Sequence, residues 1–409
     1  MTVGNPVRQI VKFMIPMLIG NVFQQLYNTV DSIVVGKYIG DNALAAVGSA
    51  GPIVNLLLVL FIGISVGAGI MVSQYFGARQ RLSLSKSIGC SITMTFVSSL
   101  IVMALAPLIS MPLLKLLNTP DEIINWCDDY LRILFLGIAG CAFYNILGGI
   151  LRGLGDSVSA LLYLIIATFL NIILDIFFVA YVGMGVPGVA LATVIAQAIS
   201  AFLSFLKLRR MTDSFDMKAA YLKPDRKYLR ELLRLGLPSG VTQAIFSLSI
   251  VIVQSLTNSF GAMCIATNVI VMRIDGFVMM PAFSFGSAMT TFAGQNIGAG
   301  RLDRVENGAK KGTLVAMATS AVITLLILLF GRYLMALFTD TDALIEQSYH
   351  MMMILGVGYI AMEVTQCLQG VMRGAGDTMA PMWLSMITTV VIRVPLAYLM
   401  TGITKSAEN

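Results

Sequence analysis

LRGLGDS, residues 151–157, returns as MRGAGDT, residues 372–378. Arg152 maps to Arg373 and Asp156 to Asp377, a spacing of 221 residues. SQYFGAR (73–79) recurs more loosely as GQNIGAG (294–300), pairing Gln74 with Gln295 and Gly77 with Gly298. YIG ending at Gly40 meets SFG ending at Gly261, and both further pairs keep the offset of 221. Separate coincidences would not agree on one spacing, so the chain reads as two copies of one unit. Between the copies runs KLRRMTDSFDMKAAYLKPDRKYLRELLR, residues 207–234, a basic linker.

The nature of the unit follows from composition. Of 409 residues, 57% are hydrophobic and only 12% charged, where soluble domains carry about 25% charge. Nothing charged lies between Lys86 and Lys115, Arg234 and Arg273, Asp275 and Arg301, or Lys311 and Arg332. Each gap is long enough for the roughly 20 residues that cross a bilayer as a helix. The chain is therefore expected to be an all-α polytopic membrane protein. Eleven spans are read, near 13–35, 51–76, 88–111, 131–151, 158–181, 187–206, 236–259, 272–298, 312–331, 350–371 and 379–401. They divide into an N-terminal lobe (1–206, spans 1–6), the linker (207–234) and a C-terminal lobe (235–409, spans 7–11).

With the N-terminus inside, the inner segments collect Arg8, Lys12, Arg79, Arg81, Lys86, Arg152, the linker cations, Arg301, Arg304, Lys310, Lys311 and Arg373. The outer segments hold only Lys37, Lys115, Arg132, Arg332 and Lys405. That bias orients the chain by the positive-inside rule. The net charge of +6 is then a topology signal, and nucleic acid is not an expected partner. The first apolar stretch carries Asn21, Gln24, Gln25, Asn28 and Asp31, unlike a cleaved signal peptide. Five scattered cysteines and one histidine, His350, offer no metal or disulfide spacing. Each copy should hold six spans, yet the offset starts the twelfth at residue 408, where the sequence stops. A truncation is the expectation, in preference to a working eleven-helix form, and it leaves the C-terminus outside.

The doubled RGxGD[ST], the opening IPMLIGNVFQQLYNTVDSIVVGKYIG (15–40) and QYFGAR (74–79) together resemble the multidrug and toxic compound extrusion (MATE) transporters. The polar residues are most similar to the bacterial DinF-like branch. The resemblance covers the chain except for the absent last helix. It implies two pseudo-symmetric six-helix bundles, the second lacking a helix here. It also implies a protein of the bacterial cytoplasmic membrane, acting as a monomer without cofactor. Family members export cationic or amphipathic organic compounds in exchange for H⁺ or Na⁺, by alternating access between two lobes.

One carboxylate, Asp175, stands in the oily stretch FLNIILDIFFVA (169–180). An aspartate at a helix centre costs about 2.5–3.5 kcal/mol to insert, so it is expected to face a partner or a cavity. Asn171 lies four residues earlier on the same helix face. In span 1, Asp31 follows Asn28 and Gln24 at helical spacing, and Thr193 on span 6 adds a hydroxyl. These are hard oxygen donors of the kind hard cations prefer. The resemblance assigns Asp31, Asn171, Asp175 and Thr193 to the family's N-lobe cation site, position by position. Such a pair of acids can hold a proton near neutral pH or release it to admit Na⁺. A hydrated, inert Asp31 at the outer membrane boundary is the alternative, since Gly36 and Lys37 follow closely. Pro16 and Gly20 mark a bend point in span 1, and the family resemblance links such bending to release of the exported compound.

The acidic site is not duplicated, because position 31 maps to Ile252 and position 175 to Leu396. The second lobe instead carries Arg273, Asp275, Glu363 and Arg393, expected to neutralise one another. Glu363 resembles an acidic residue on this helix in the NorM-like branch, but no acid on span 7 accompanies it. Tyr130, Tyr144 and Asn145, with Gln24 and Asn28, are weaker candidates for lining a substrate cavity. Two other readings stand beside the exporter. GLGD (153–156) resembles an element of intramembrane aspartyl proteases, although its recurrence at an inner boundary fits a helix cap better. A flippase for a lipid-linked precursor shares the superfamily, but its basic cavity contrasts with the acids of the first lobe.

Overall fold

A computed structural model describes residues 1–117 and 119–407. The chain runs through α1 (Pro6–Tyr38), α2 (Asp41–Gly77), α3 (Arg81–Leu116), α4 (Asp121–Leu136), α5 (Ile138–Gly153), α6 (Ser157–Asp175) and α7 (Val186–Arg210). It continues as α8 (Arg226–Asn258), α9 (Ala262–Val278), α10 (Met280–Gly298), α11 (Leu302–Ala336), α12 (Asp342–Gly374), α13 (Met379–Met386) and α14 (Val394–Ala407). Two π-helical stretches, Ile176–Tyr181 and Ile387–Arg393, extend α6 and join α13 to α14, and a 3₁₀ turn spans Ala219–Leu222. Among the described residues every element is helical. Nine helical runs among the described residues are long and apolar enough to cross a membrane, or ten if the bent pair α4–α5 is one span. α1 has the length, at 33 residues, but its Asn, Gln and Asp residues make it more polar than these.

The duplication is written into the backbone. Gly40 and Gly261 have φ of 117° and 90°, Gly155 and Gly376 have 91° and 90°, and Arg79 and Gly300 have 55° and 70°. Each pair is 221 residues apart, so the left-handed turns between helices recur where the sequence motifs recur. Arg79 holds without glycine a conformation that L side chains seldom adopt. Pro16 inside α1 has a counterpart in Pro238 inside α8.

The helices are joined less regularly than the hydropathy pattern alone suggests. α4 and α5 meet at a bend of 53°, centred on Gly137, which packs against the Val194 side chain too closely for a Cβ. α9 and α10 break at Met279, just before Pro281, whose ring cannot take a place in the preceding hydrogen-bond ladder.

By contacts the chain forms two compact units, Ile19–Gly240 and Met1–Leu18 with the chain from Val241 onward. In the first, Ile70, Met71, Ile88, Ile150, Leu151, Phe215 and Leu232 form one buried cluster, and Phe61, Leu114, Leu131 and Phe135 belong to another. In the second, Ile10, Phe13, Phe285 and Phe292 pack together, as do Val271, Met335, Met352 and Tyr359. α3 shows the logic of a lipid-facing helix. Its buried positions include Ser85, Ser87, Ser91, Thr95 and Ser99, while Phe96, Leu100, Ile101, Leu105 and Leu108 are exposed. In hydrocarbon, close packing of small residues replaces hydrophobic drive, and these hydroxyls bond back to their own helix, as Ser99 Oγ does to Thr95 O at 2.7 Å.

The basic segment after α7 is docked on α3. Arg81 binds the Asp216 carboxylate at 2.8 Å and the carbonyls of Thr212 and Asp213 at 2.6 and 3.0 Å. Thr93 Oγ1 donates to Leu222 O at 2.6 Å. The Arg81 guanidinium holds the Asp216 carboxyl below its ordinary range. The start of α8 is fixed to α2 through glycines. A Cβ on Gly63 would lie 2.7 Å from Gly236 O, and one on Gly67 would lie 2.7 Å from Gly236 N. Overpacking of this kind costs about 1–3 kcal/mol. Gly67→Val should therefore lower the thermal midpoint of the purified protein. Gly48→Ala, where nothing lies within 4 Å of the added carbon, should not lower it. Equal midpoints for Gly67→Val and wild type would show that the helices have room to separate.

Candidate functional site

α6 ends at Asp175 and continues as the π-helical stretch Ile176–Tyr181. Inserted π turns are rare and concentrate at functional sites. Here the change of register begins one residue after the carboxylate. Asn171 and Asp175 are both 0% exposed, which removes water as a partner for either side chain.

Asp31 comes from α1, half-buried. With the Asn171 amide oriented to satisfy its neighbours, its nitrogen donates to Asp31 Oδ1 at 2.9 Å and to Asp175 Oδ2 at 3.2 Å. This orientation is assigned from the hydrogen bonds, since both neighbours are acceptors. The one amide nitrogen thus joins the two carboxylates. Asp175 Oδ1 has no hydrogen-bond partner. Two ionised carboxylates brought to one amide nitrogen in a medium of low dielectric would repel strongly. Among the described residues no group of three or more His, Cys, Asp and Glu side chains is placed to hold a metal ion.

Thr193 on α7 meets α1 through Tyr27. Its Oγ1 accepts a hydrogen bond from Tyr27 OH at 3.0 Å, and Tyr27 is itself buried one helical turn before Asp31. Tyr27 was not among the residues singled out by sequence. Its one trace in the sequence is its place at i−4 from Asp31, which an ordinary packing aromatic would share. Tyr130, half-buried, lies within electrostatic reach of both carboxylates. The other cavity candidates are placed differently. Asn145 donates to Cys141 O at 2.9 Å and receives Ser65 Oγ on its carbonyl at 2.6 Å, and Tyr144 packs against the first buried cluster. Gln24 is half-buried and Asn28 exposed on the turns of α1 leading to Asp31. Pro16 and Gly20 lie within a continuous α1, on either side of the Leu18–Ile19 division between the compact units.

In the second unit the four charges do not pair. Asp275 on α9 accepts a hydrogen bond from Tyr359 OH on α12, and that hydroxyl also reaches Met352 Sδ at 3.2 Å. Glu363, one turn beyond Tyr359, is 2% exposed and its Oε1 has no hydrogen-bond partner. Arg273 and Arg393 are exposed. Among the described residues no salt bridge joins any of the four. The expected mutual neutralisation is corrected accordingly. Arg273 precedes Asp275 by two residues, about 200° around the helix, so the two side chains diverge.

The Gly-Asp element is a helix cap in both copies. Asp156 accepts the Ser159 backbone N–H at 2.9 Å, and Asp377 accepts that of Ala380 at 3.0 Å. Both satisfy free N–H groups at the start of the next helix, as N-capping aspartates do.

The comparisons with known proteins agree with this architecture. The family model described as MatE matches residues 16–177 and again residues 238–399. The chain belongs to the MATE family of multidrug transporters, whose members are transporters and not enzymes. Among its relatives is the "Probable multidrug resistance protein YoeA" of Bacillus subtilis (strain 168), 31% identical over 401 residues, 96% of this chain and 86% of that protein. A solved outward-facing multidrug resistance MATE transporter of the MOP superfamily superposes with a TM-score of 0.90 at 26% identity, over 98% of this chain and 89% of that one. A MOP superfamily transporter from Pyrococcus furiosus, whose binding pocket of reverse polarity suggests a different function, gives 0.90 at 25% identity, with the same coverage.

The geometry makes a spectroscopic prediction. In sodium-free buffer near neutral pH, the infrared carboxyl region of the wild type should contain a protonated carboxylic acid that both Asp31→Asn and Asp175→Asn remove. An unchanged band in both variants would mean that the pair holds no proton.

Proposed function

We propose that the chain is a cation-coupled antiporter that exports cationic or amphipathic organic compounds by alternating access, with H⁺ or Na⁺ as the coupling ion. The observation that carries this reading is the Asn171 amide held between the Asp31 and Asp175 carboxylates. Asp31, Asn171 and Asp175 bind the coupling cation, and Thr193 and Tyr27 hold the edge of the site. The protein acts as a monomer in the bacterial cytoplasmic membrane with its N-terminus inside.

The chemistry is a charge exchange. With a proton or Na⁺ bound, the pair carries one negative charge less than when empty. Occupancy therefore changes the electrostatics where α1, α6 and α7 contribute side chains. A linkage of this kind is reciprocal, and coupling free energies of about 1–3 kcal/mol are typical. The bend point at Pro16 and Gly20 gives α1 a way to respond. Glu363, buried with an unpartnered oxygen, and the Asp275–Tyr359 pair are secondary candidates for a second ionic locus.

The test is transport into proteoliposomes. A sodium gradient and a pH gradient are imposed separately while uptake of a fluorescent organic cation is followed. One gradient should drive transport in the wild type. Asp175→Asn, which keeps the side-chain shape but cannot exchange a proton or balance Na⁺, should reduce it at least about tenfold, the scale of a 1.4 kcal/mol loss. Full gradient-driven transport by that variant would remove Asp175 from the coupling site. Failure of both gradients in the wild type would turn the assignment towards the flippase reading.

A further inference from the structure

The first turns of α8 carry a feature that cation coupling does not use. Lys227, Arg230, Glu231 and Arg234 line a cavity of about 520 Å³, within the roughly 300–1,000 Å³ of small-ligand sites. Lys227, Arg230 and Arg234 follow one another at spacings of three and four residues, so they share a helix face. All three are exposed.

The acids around Lys227 and Arg230 are engaged elsewhere. Asp216 is bound by Arg81 at 2.8 Å, and Asp225 lies 3.5 Å from Lys86. Glu231, the cavity's own acid, accepts the Tyr75 hydroxyl at 2.7 Å. Among the described residues no salt bridge is formed by Lys227 or Arg230. Lys227 Nζ instead stands 5.4 Å from the Tyr228 ring centroid. Tyr228 is 5% exposed and meets Tyr75 edge-on, with ring centroids 5.9 Å apart. The cationic face is therefore carried on an anchored helix, with positive charge in excess.

The same face then changes character. Leu237 and Val241 continue the stripe at the next three- and four-residue steps and are 48% and 41% exposed. No charge follows Arg234 until Arg273, so the cations stand where the helix passes into its apolar span. Cations at one end of an exposed stripe and aliphatic side chains along the rest match an amphiphile with an anionic head. A soluble anion would have no use for the apolar half. Basic pockets on the cytoplasmic side of membrane helices are suited to phosphate-bearing headgroups.

We propose that Lys227 and Arg230, with Arg234 beside them, bind the headgroup of an anionic phospholipid, whose acyl chain lies along Leu237. The site is independent of the carboxylate pair and of the coupling assigned to it.

Native mass spectrometry of the full chain in detergent tests this, with phosphatidylglycerol and phosphatidylcholine added in turn. The wild type should retain phosphatidylglycerol roughly tenfold more tightly than phosphatidylcholine, as expected for a headgroup held by two or three cations. Lys227→Gln combined with Arg230→Gln should abolish that preference. Lys310→Gln, a change at an exposed lysine already paired with Glu306 at 2.6 Å, should leave it intact. Equal retention of the two lipids by the wild type would overturn the proposal, as would an undiminished preference in the double variant. Displacement of phosphatidylglycerol by an equal concentration of inorganic phosphate would also overturn it, in favour of a soluble-anion site. The wild-type headgroup comparison remains decisive if the double variant fails to fold.

Discussion

An amide nitrogen held between two carboxylates in a helical interior is the constraint on which the rest of the first unit depends. Asn171 donates to Asp31 and Asp175 together, and neither Asn171 nor Asp175 is accessible to water. Leaving such a pair without a counter-charge is costly on the scale of several kcal/mol per buried ion. On the proposed reading a proton or a monovalent cation supplies that charge, and its occupancy acts on α1 and α6, which carry the three residues. The π-helical register begins at the residue after Asp175, whose Oδ1 has no hydrogen-bond partner.

Duplication built the scaffold without duplicating the chemistry. The left-handed turns at Gly40 and Gly261, and at Gly155 and Gly376, repeat with the sequence offset, and so do the aspartate caps. Yet the positions equivalent to Asp31 and Asp175 are Ile252 and Leu396. The second unit places its buried acid on α12 instead, beside a tyrosine–aspartate hydrogen bond. Backbone turns and caps are fixed by local geometry that both copies must satisfy. Polar side chains inside the bundle are costly to insert and persist only where they have a partner or a use, so the two copies were free to diverge there.

Much of the architecture was legible because hydrocarbon imposes blunt rules. Charge-free tracts marked the long helices, and a constant offset marked the repeat. The sequence suggested grouping Asp31, Asn171, Asp175 and Thr193 through the family resemblance; Asn171 does bridge the two carboxylates, while Thr193 meets Tyr27. Other features leave weaker traces. Tyr27 and Tyr359 read as ordinary aromatics, and only their hydroxyl partners, Thr193 and Asp275, distinguish them. The close packing of Gly137, at the bend, involves Val194, a residue distant in sequence. The π-helical stretches have no propensity signature. The segment after α7 looks like a charged tether until Arg81 is seen to bind it at three points. Arg273, Asp275, Glu363 and Arg393 were expected to neutralise one another, but among the described residues no salt bridge joins them, and helix geometry turns Arg273 and Asp275 apart.

The most direct test of the central account is ion release on substrate binding. Purified protein is titrated with an organic cation in weakly buffered solution containing a pH indicator, and separately in the presence of radioactive sodium. The account predicts that binding expels one kind of ion, H⁺ or Na⁺, from the wild type and that Asp175→Asn expels neither. Substrate binding with no ion released from the wild type, or with undiminished release from Asp175→Asn, would contradict it.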